Sequence, residues 1–134
     1  MAIAYFPSLP DAEILEVAFT KPLGGESVFR LLVDTGFTGQ SCFVLPDDAD
    51  DLAHATASAS QVSGALQGTQ KRVVVSCRID ALSFQVAAIA ILADISRLTL
   101  PPGFHGIVGL RFLRFFRLWG SEQAANQWRF FLEV

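Results

Sequence analysis

The residues best suited to chemistry form one short run, Asp34-Thr35-Gly36-Phe37-Thr38-Gly39, set between the apolar stretches Leu31–Val33 and Cys42–Leu45. A carboxylate framed by two buried strands is costly unless hydrogen-bonded, so the loop around Asp34 must supply donors. Gly36 permits a tight turn and close backbone approach, and the Thr35 hydroxyl can bond locally to fix the loop. Amide hydrolysis without a metal or a covalent intermediate needs one group to take a proton from water and another to give one to the substrate. Two adjacent carboxyls do both, because like charges held close cannot both ionise and so titrate as a coupled pair. No other Asp in the chain is followed by Ser or Thr and then Gly. For this chemistry Asp34 must find its second carboxyl on another copy of the chain, across a self-complementary two-fold interface.

The elements that would position Asp34 follow from the pattern on either side of it. Ala12–Phe19 and Ser27–Val33 are rich in β-branched and aromatic residues and flank Lys21-Pro22-Leu23-Gly24-Gly25, which predicts a hairpin. Cys42–Leu45 continues as a strand. Pro46–Ala57 carries Asp47, Asp48, Asp50 and Asp51 ahead of Leu52, which predicts a short helix with proline and acids at its start. The same acids lack the alternating ligands, central Gly and closing Glu of a calcium loop. Ser58–Arg72, with Gly64 and Gly68, reads as a projecting, flexible hairpin ahead of a strand at Val73–Ile79. Leu82–Leu92 reads as a strand buried on both sides, although periodicity alone leaves a buried helix open. Pro101-Pro102-Gly103 breaks the chain. Gly106–Leu110 then leads into Arg111–Trp119, where Phe112, Leu113, Phe115, Phe116 and Trp119 keep helical spacing until Gly120. Trp128–Val134 reads as a last strand.

Composition bounds what this framework can be. A chain of 134 residues can bury one core, and no linker divides it, so residues 1–134 are expected to form a single domain. A hydrophobic content of 51% excludes disorder. The apolar runs are too short to cross a bilayer. The first ten residues, with Pro7 and Pro10 and no basic residue, do not read as a secretory signal, so a cytoplasmic location without a membrane partner is expected. A net charge of -3 offers no basic field for phosphates, which argues against nucleic acid. Cys42 and Cys77 lack Cys-x-x-Cys spacing, and His54 and His105 lack ligand spacing and any nucleophile elbow. Buried free thiols and no metal are expected. Arg111, Arg114 and Arg117 recur at every third position, a basic stripe that reads as the solvated face of the helix, or less simply as a contact for phosphates or an acidic partner.

Leu31-Leu32-Val33-Asp34-Thr35-Gly36-Phe37-Thr38-Gly39 and Ile107-Val108-Gly109-Leu110-Arg111-Phe112-Leu113 together resemble the retropepsin-like aspartic proteases (clan AA), in particular the small bacterial single-lobe type. The first segment is similar to their catalytic loop, and the second to the Gly-containing strand and helix that pass behind it. The resemblance spans Glu13 to Trp119. It implies an all-β fold: a single retropepsin-like acid-protease lobe of closed, barrel-like sheets, with a flap hairpin and one short C-terminal helix. It implies Asp34 as the catalytic carboxylate, Thr35 as the residue that buttresses the partner loop across the dimer axis, and Gly36 as the backbone nearest substrate. Ile107, Val108 and Gly109 would support the loop.

Val62–Lys71 falls at the place of the flap, with Gly64, Ala65, Leu66, Gln67 and Gly68 over the substrate, though the double-Gly tip of the viral enzymes is missing. Arg111 stands where many bacterial relatives carry an acidic residue. The resemblance thus implies a homodimeric endopeptidase acting on a peptide or protein substrate, with no cofactor. The terminal segments Met1–Pro10 and Trp128–Val134 are candidate interface strands by edge pairing. One rival expectation is a non-proteolytic binding or dimerisation module in which Asp34 serves only local hydrogen bonds. Another is a ligand-binding β-barrel with a closed apolar cavity.

Overall fold

The computed structural model describes residues 2–62 and 68–134. Through them run β1 (Ile3–Pro7), β2 (Ile14–Thr20), β3 (Glu26–Asp34), β4 (Phe43–Pro46) and β5 (Ala55–Val62), then β6 (Gly68–Ile79), β7 (Phe84–Ala93) and β8 (Gly106–Gly109). One α-helical turn, α1 (Leu110–Leu113), precedes β9 (Leu118–Ala124) and β10 (Gln127–Glu133). The fold is all-β.

The β2–β3 hairpin forms where alternation and turn chemistry place it. Gly24 and Gly25 take φ of 102° and 88°, values a side chain disfavours, and the Lys21 N–H closes the turn on the Gly25 carbonyl at 2.9 Å. The strands then join in the order β2-β3-β8-β4-β7-β6, and β6 pairs back onto β2 through Ala18↔Arg78. This closes a six-stranded barrel and removes the open edges that β2 and β6 would otherwise present. β5 hangs on the outer side of β6.

Side chains alternate about the barrel wall. Leu15, Val17, Phe19, Leu31, Phe43, Leu45, Val73, Val75 and Cys77 point inward and are buried. Phe43 links two parts of this core, with the Phe19 ring 5.2 Å away edge-on and the Phe112 ring 5.0 Å away. A second, smaller core lies on the other face of β4, β7 and β8. There Val44, Ile91, Ala93 and Ile107 pack with Leu32, Phe37, Ile95, Leu98 and Leu100. The Asp94 carboxylate tightens the covering segment by accepting bonds from the Ser96 N–H at 3.1 Å and its hydroxyl at 2.6 Å, which hold it below the ordinary Asp range. Sandwiched between two cores, β8 is buried at every residue.

The chain termini build a separate antiparallel sheet, β1-β10-β9, whose Ala4, Phe130 and Leu132 join the barrel core. Its outer face carries the Arg117–Glu133 pair and the Arg129–Glu122 pair, with Arg129 stacked 3.6 Å above the Tyr5 ring. Both histidines are structural. His105 Nδ1 accepts the Arg30 N–H at 2.9 Å and its ring stacks on Phe29, while His54 Nε2 meets the Thr20 carbonyl at 2.9 Å.

The structure corrects several expectations. The helix expected over Arg111–Trp119 is the single turn of α1, because the chain from Leu118 onward pairs with β10 and ladder bonds outweigh a helical spacing of aromatics. The helix expected in Pro46–Ala57 shrinks to a 3-10 turn at Ala49–Leu52, since Pro46 still belongs to β4 and Ala55 already pairs with Val74. The β6 strand begins at Gly68 rather than Val73. β7 is buried at every residue only over its last four, Ala90–Ala93. Trp128–Val134 cannot offer an edge to a partner: β10 is the middle strand of its sheet, with both sides taken. Among the described residues, no helix is long and apolar enough to cross a membrane.

A methyl at Gly106 would overlap the Val44 carbonyl oxygen and lie 3.2 Å from its carbon. Gly106→Ala should cost about 3 kcal/mol, read as a lower urea midpoint at unchanged slope. Burial pushes the Cys42 thiol up to about 11 and the Cys77 thiol to about 12. The folded state therefore holds these protons more tightly than the unfolded chain, so stability should be undiminished below about pH 9 and fall as pH rises towards 11 to 12. A thiol reagent at neutral pH should label neither cysteine until the protein is unfolded.

Candidate active site

Asp34 is the last residue of β3 and lies in register with Gly109, the last residue of β8. The chain then turns sharply. Asp34 Oδ1 accepts the Gly36 N–H at 3.0 Å, and the Asp34 carbonyl accepts the Phe37 N–H at 3.1 Å. Two further bonds tie this loop to the end of β8. The Phe37 carbonyl accepts the Leu110 N–H at 3.0 Å, and the Cys42 carbonyl accepts the Gly109 N–H at 2.9 Å. The loop thus straddles β8 and is bonded to it from both ends.

Gly109 makes the straddling possible. A Cβ there would come within 2.6 Å of the Phe37 carbonyl oxygen and would collide with the Phe37 ring. That ring packs into the outer core, so the one aromatic residue in a polar loop serves as its anchor. Asp34 remains half-buried, while Thr35 and Gly36 are exposed. Of Ile107, Val108 and Gly109, expected to support the loop, the first two pair with Leu32 and Val33 of β3, and Gly109 lies in register with Asp34 and against Phe37. Gly68, expected over the substrate, opens β6 and pairs with Val62. Gly64, Ala65, Leu66 and Gln67 lie outside the described residues.

Asp34 borders a cleft of about 560 Å³ together with Leu9, Pro10, Asp11, Ala12, Glu13, Leu32, Val33, Ser121 and Trp128. Sequence reasoning missed this set, because it comes from the β1–β2 connection and the β9–β10 hairpin, far from Asp34 along the chain. Glu13 is fixed from two sides: its carbonyl accepts the Val33 N–H at 2.9 Å and its carboxylate accepts the Ser121 hydroxyl. Asp11, Glu13 and Asp34 make this cleft acidic. Among the described residues, no cluster of His, Cys, Asp and Glu is arranged to hold a metal ion.

A second cleft, of about 580 Å³, borders the later part of the same loop and is lined by Thr38, Gly39, Gln40, Leu110, Arg111, Arg114 and Phe115. The expected basic stripe is divided here. Arg117 leaves the helical turn to pair with Glu133, whereas Arg111 and Arg114 stay beside the loop.

No known family model matches this chain, and no curated protein or solved structure matches it.

The Gly109 contact yields a direct test. Gly109→Ala should displace Phe37 and release the loop, lowering stability by roughly 2 to 4 kcal/mol. Amide exchange at Gly109 and Leu110, whose N–H groups bond the loop, should speed up before exchange in the β6–β7 ladder does.

Proposed function

We propose that this chain is one half of a homodimeric aspartic endopeptidase of the retropepsin-like kind, in which two copies of Asp34 share a catalytic proton. The observation that carries the proposal is the placement of Asp34. Its half-buried carboxylate stands at the mouth of a cleft, on a turn bonded to β8 from both ends. Such a turn holds a carboxyl still, which is what acid–base work on a bound peptide requires.

In the proposed cycle, the ionised carboxylate of the pair takes a proton from water as the water oxygen bonds to the peptide carbonyl carbon. The other carboxyl gives its proton to the carbonyl oxygen. Collapse of the tetrahedral intermediate breaks the C–N bond as the amine nitrogen takes up a proton from the pair and one hydroxyl of the intermediate returns its proton to the pair, so an acid and an amine leave and the pair again holds one proton. Repulsion between the two carboxylates keeps one proton on the pair, so each copy needs the other. Exposed apolar side chains support a second copy beside the site. Trp128 is 54% exposed within the Asp34 cleft, and Leu118 stands exposed on the terminal sheet. β1 and β9, as the outer strands of that sheet, have sides free for pairing among the described residues.

Asp34→Asn should reduce kcat/KM on a mixed peptide library by roughly a thousand-fold while leaving the thermal midpoint nearly unchanged. Sedimentation at the assay concentration should give a dimer. Retention of activity by Asp34→Asn, or full activity in a strict monomer, would overturn the proposal.

A further inference from the structure

We infer that the cleft carrying Arg111 and Arg114 is a subsite for an acidic side chain of the bound peptide, a substrate class that rests on the endopeptidase reading above. The two guanidinium groups stand three residues apart on one short turn and line the same cleft. Arg78, Arg117 and Arg129 each hold a carboxylate. Among the described residues, neither Arg111 nor Arg114 has an ion-pair partner. Their planar donors suit a carboxylate, and among the described residues no intramolecular acceptor is bonded to them.

The rest of the lining fits a peptide. The Thr38 hydroxyl and the Gln40 amide add polar groups, and Leu110 and the 45% exposed Phe115 supply an apolar wall for the methylene stem of a glutamate. The position relative to the scissile bond follows from the fold. Asp34 is in register with Gly109, and Leu110 follows it, so the lining of the cleft begins within about 9 Å of Asp34, backbone to backbone. An extended peptide covers that span in about two to four residues. Charge sets the direction. Asp11 and Glu13 make the Asp34 cleft repel an acidic side chain, while the cleft lined by Arg111 and Arg114 attracts one.

The test uses amidated peptide libraries that differ only in a fixed Glu or Gln, walked along positions two to four residues from the cleavage site, at about pH 6, where glutamate is ionised. The wild type should cleave the Glu series roughly three- to ten-fold faster in kcat/KM at one of these positions, with the gap narrowing in high salt. In Arg111→Gln/Arg114→Gln that ratio should fall to about one, and charge reversal to Glu at both sites should favour a Lys series instead. Equal cleavage of the Glu and Gln series by the wild type would overturn the inference and leave the endopeptidase reading intact. So would a Glu preference that survives the double variant. A preference seen only with free C-terminal carboxylates would overturn the side-chain assignment.

A binding arm separates the two claims. Fluorescein-labelled Glu and Gln peptides are titrated into Asp34→Asn, where no hydrolysis is needed. Tighter binding of the Glu peptide that vanishes in Asp34→Asn/Arg111→Gln/Arg114→Gln supports the subsite even if no peptide is ever cleaved. Equal binding of both peptides overturns it.

Discussion

β8 is the strand on which everything at the candidate site depends. It runs parallel to β3 on one side and antiparallel to β4 on the other, so the connection between β3 and β4 has to pass around its end. A four-residue strand, Gly106-Ile107-Val108-Gly109, can occupy that position only if both of its ends accept backbone at very short range. Glycine at each end meets this demand, and Ile107 and Val108 between them fill the outer and inner cores. The loop carrying Asp34 is thereby held by main-chain bonds to a buried strand and by the Phe37 ring in the outer core, rather than by side chains at the surface.

That arrangement gives the two ends of the loop different electrostatic environments. At one end, the β1–β2 connection and the terminal hairpin bring Asp11 and Glu13 beside Asp34. At the other, the turn after Gly109 brings Arg111 and Arg114 against Thr38 and Gln40. A peptide laid across the loop would meet negative charge at one end and positive charge at the other, so its own charges would fix which way it lies. The terminal sheet contributes to both the cleft and the exposed apolar surface next to it, which places any self-association through that sheet beside the candidate chemistry.

Local signals served well where the local interaction was the strongest one present. The β2–β3 hairpin was legible because alternation and a Gly24-Gly25 turn both act within a few residues. The candidate loop was legible for the same reason: Asp34 and Gly36 bond to each other two residues apart. The helical spacing of Phe112, Phe115, Phe116 and Trp119 misled, because Leu118–Ala124 finds a partner strand that no local pattern reveals. Phe112 and Phe116 are buried as a helix would have buried them, yet Phe115 is exposed and Trp119 lies in β9. The pairing of β1 with β10 and the place of Asp11 and Glu13 beside Asp34 gave no local signal, since both come from contacts with the other end of the chain.

By itself, the sequence determined the class of the fold and the single carboxylate on which a catalytic proposal can rest, because strand alternation, turn glycines and an Asp-x-Gly turn are all short-range interactions. Only the tertiary structure decided that β6 returns to β2 to close a barrel, that the loop straddles β8, and that Arg111 and Arg114 border a cleft while Arg117 turns away to Glu133. Each of these depends on which distant backbone groups satisfy one another's hydrogen bonds, a choice made by the whole chain when it buries its two cores.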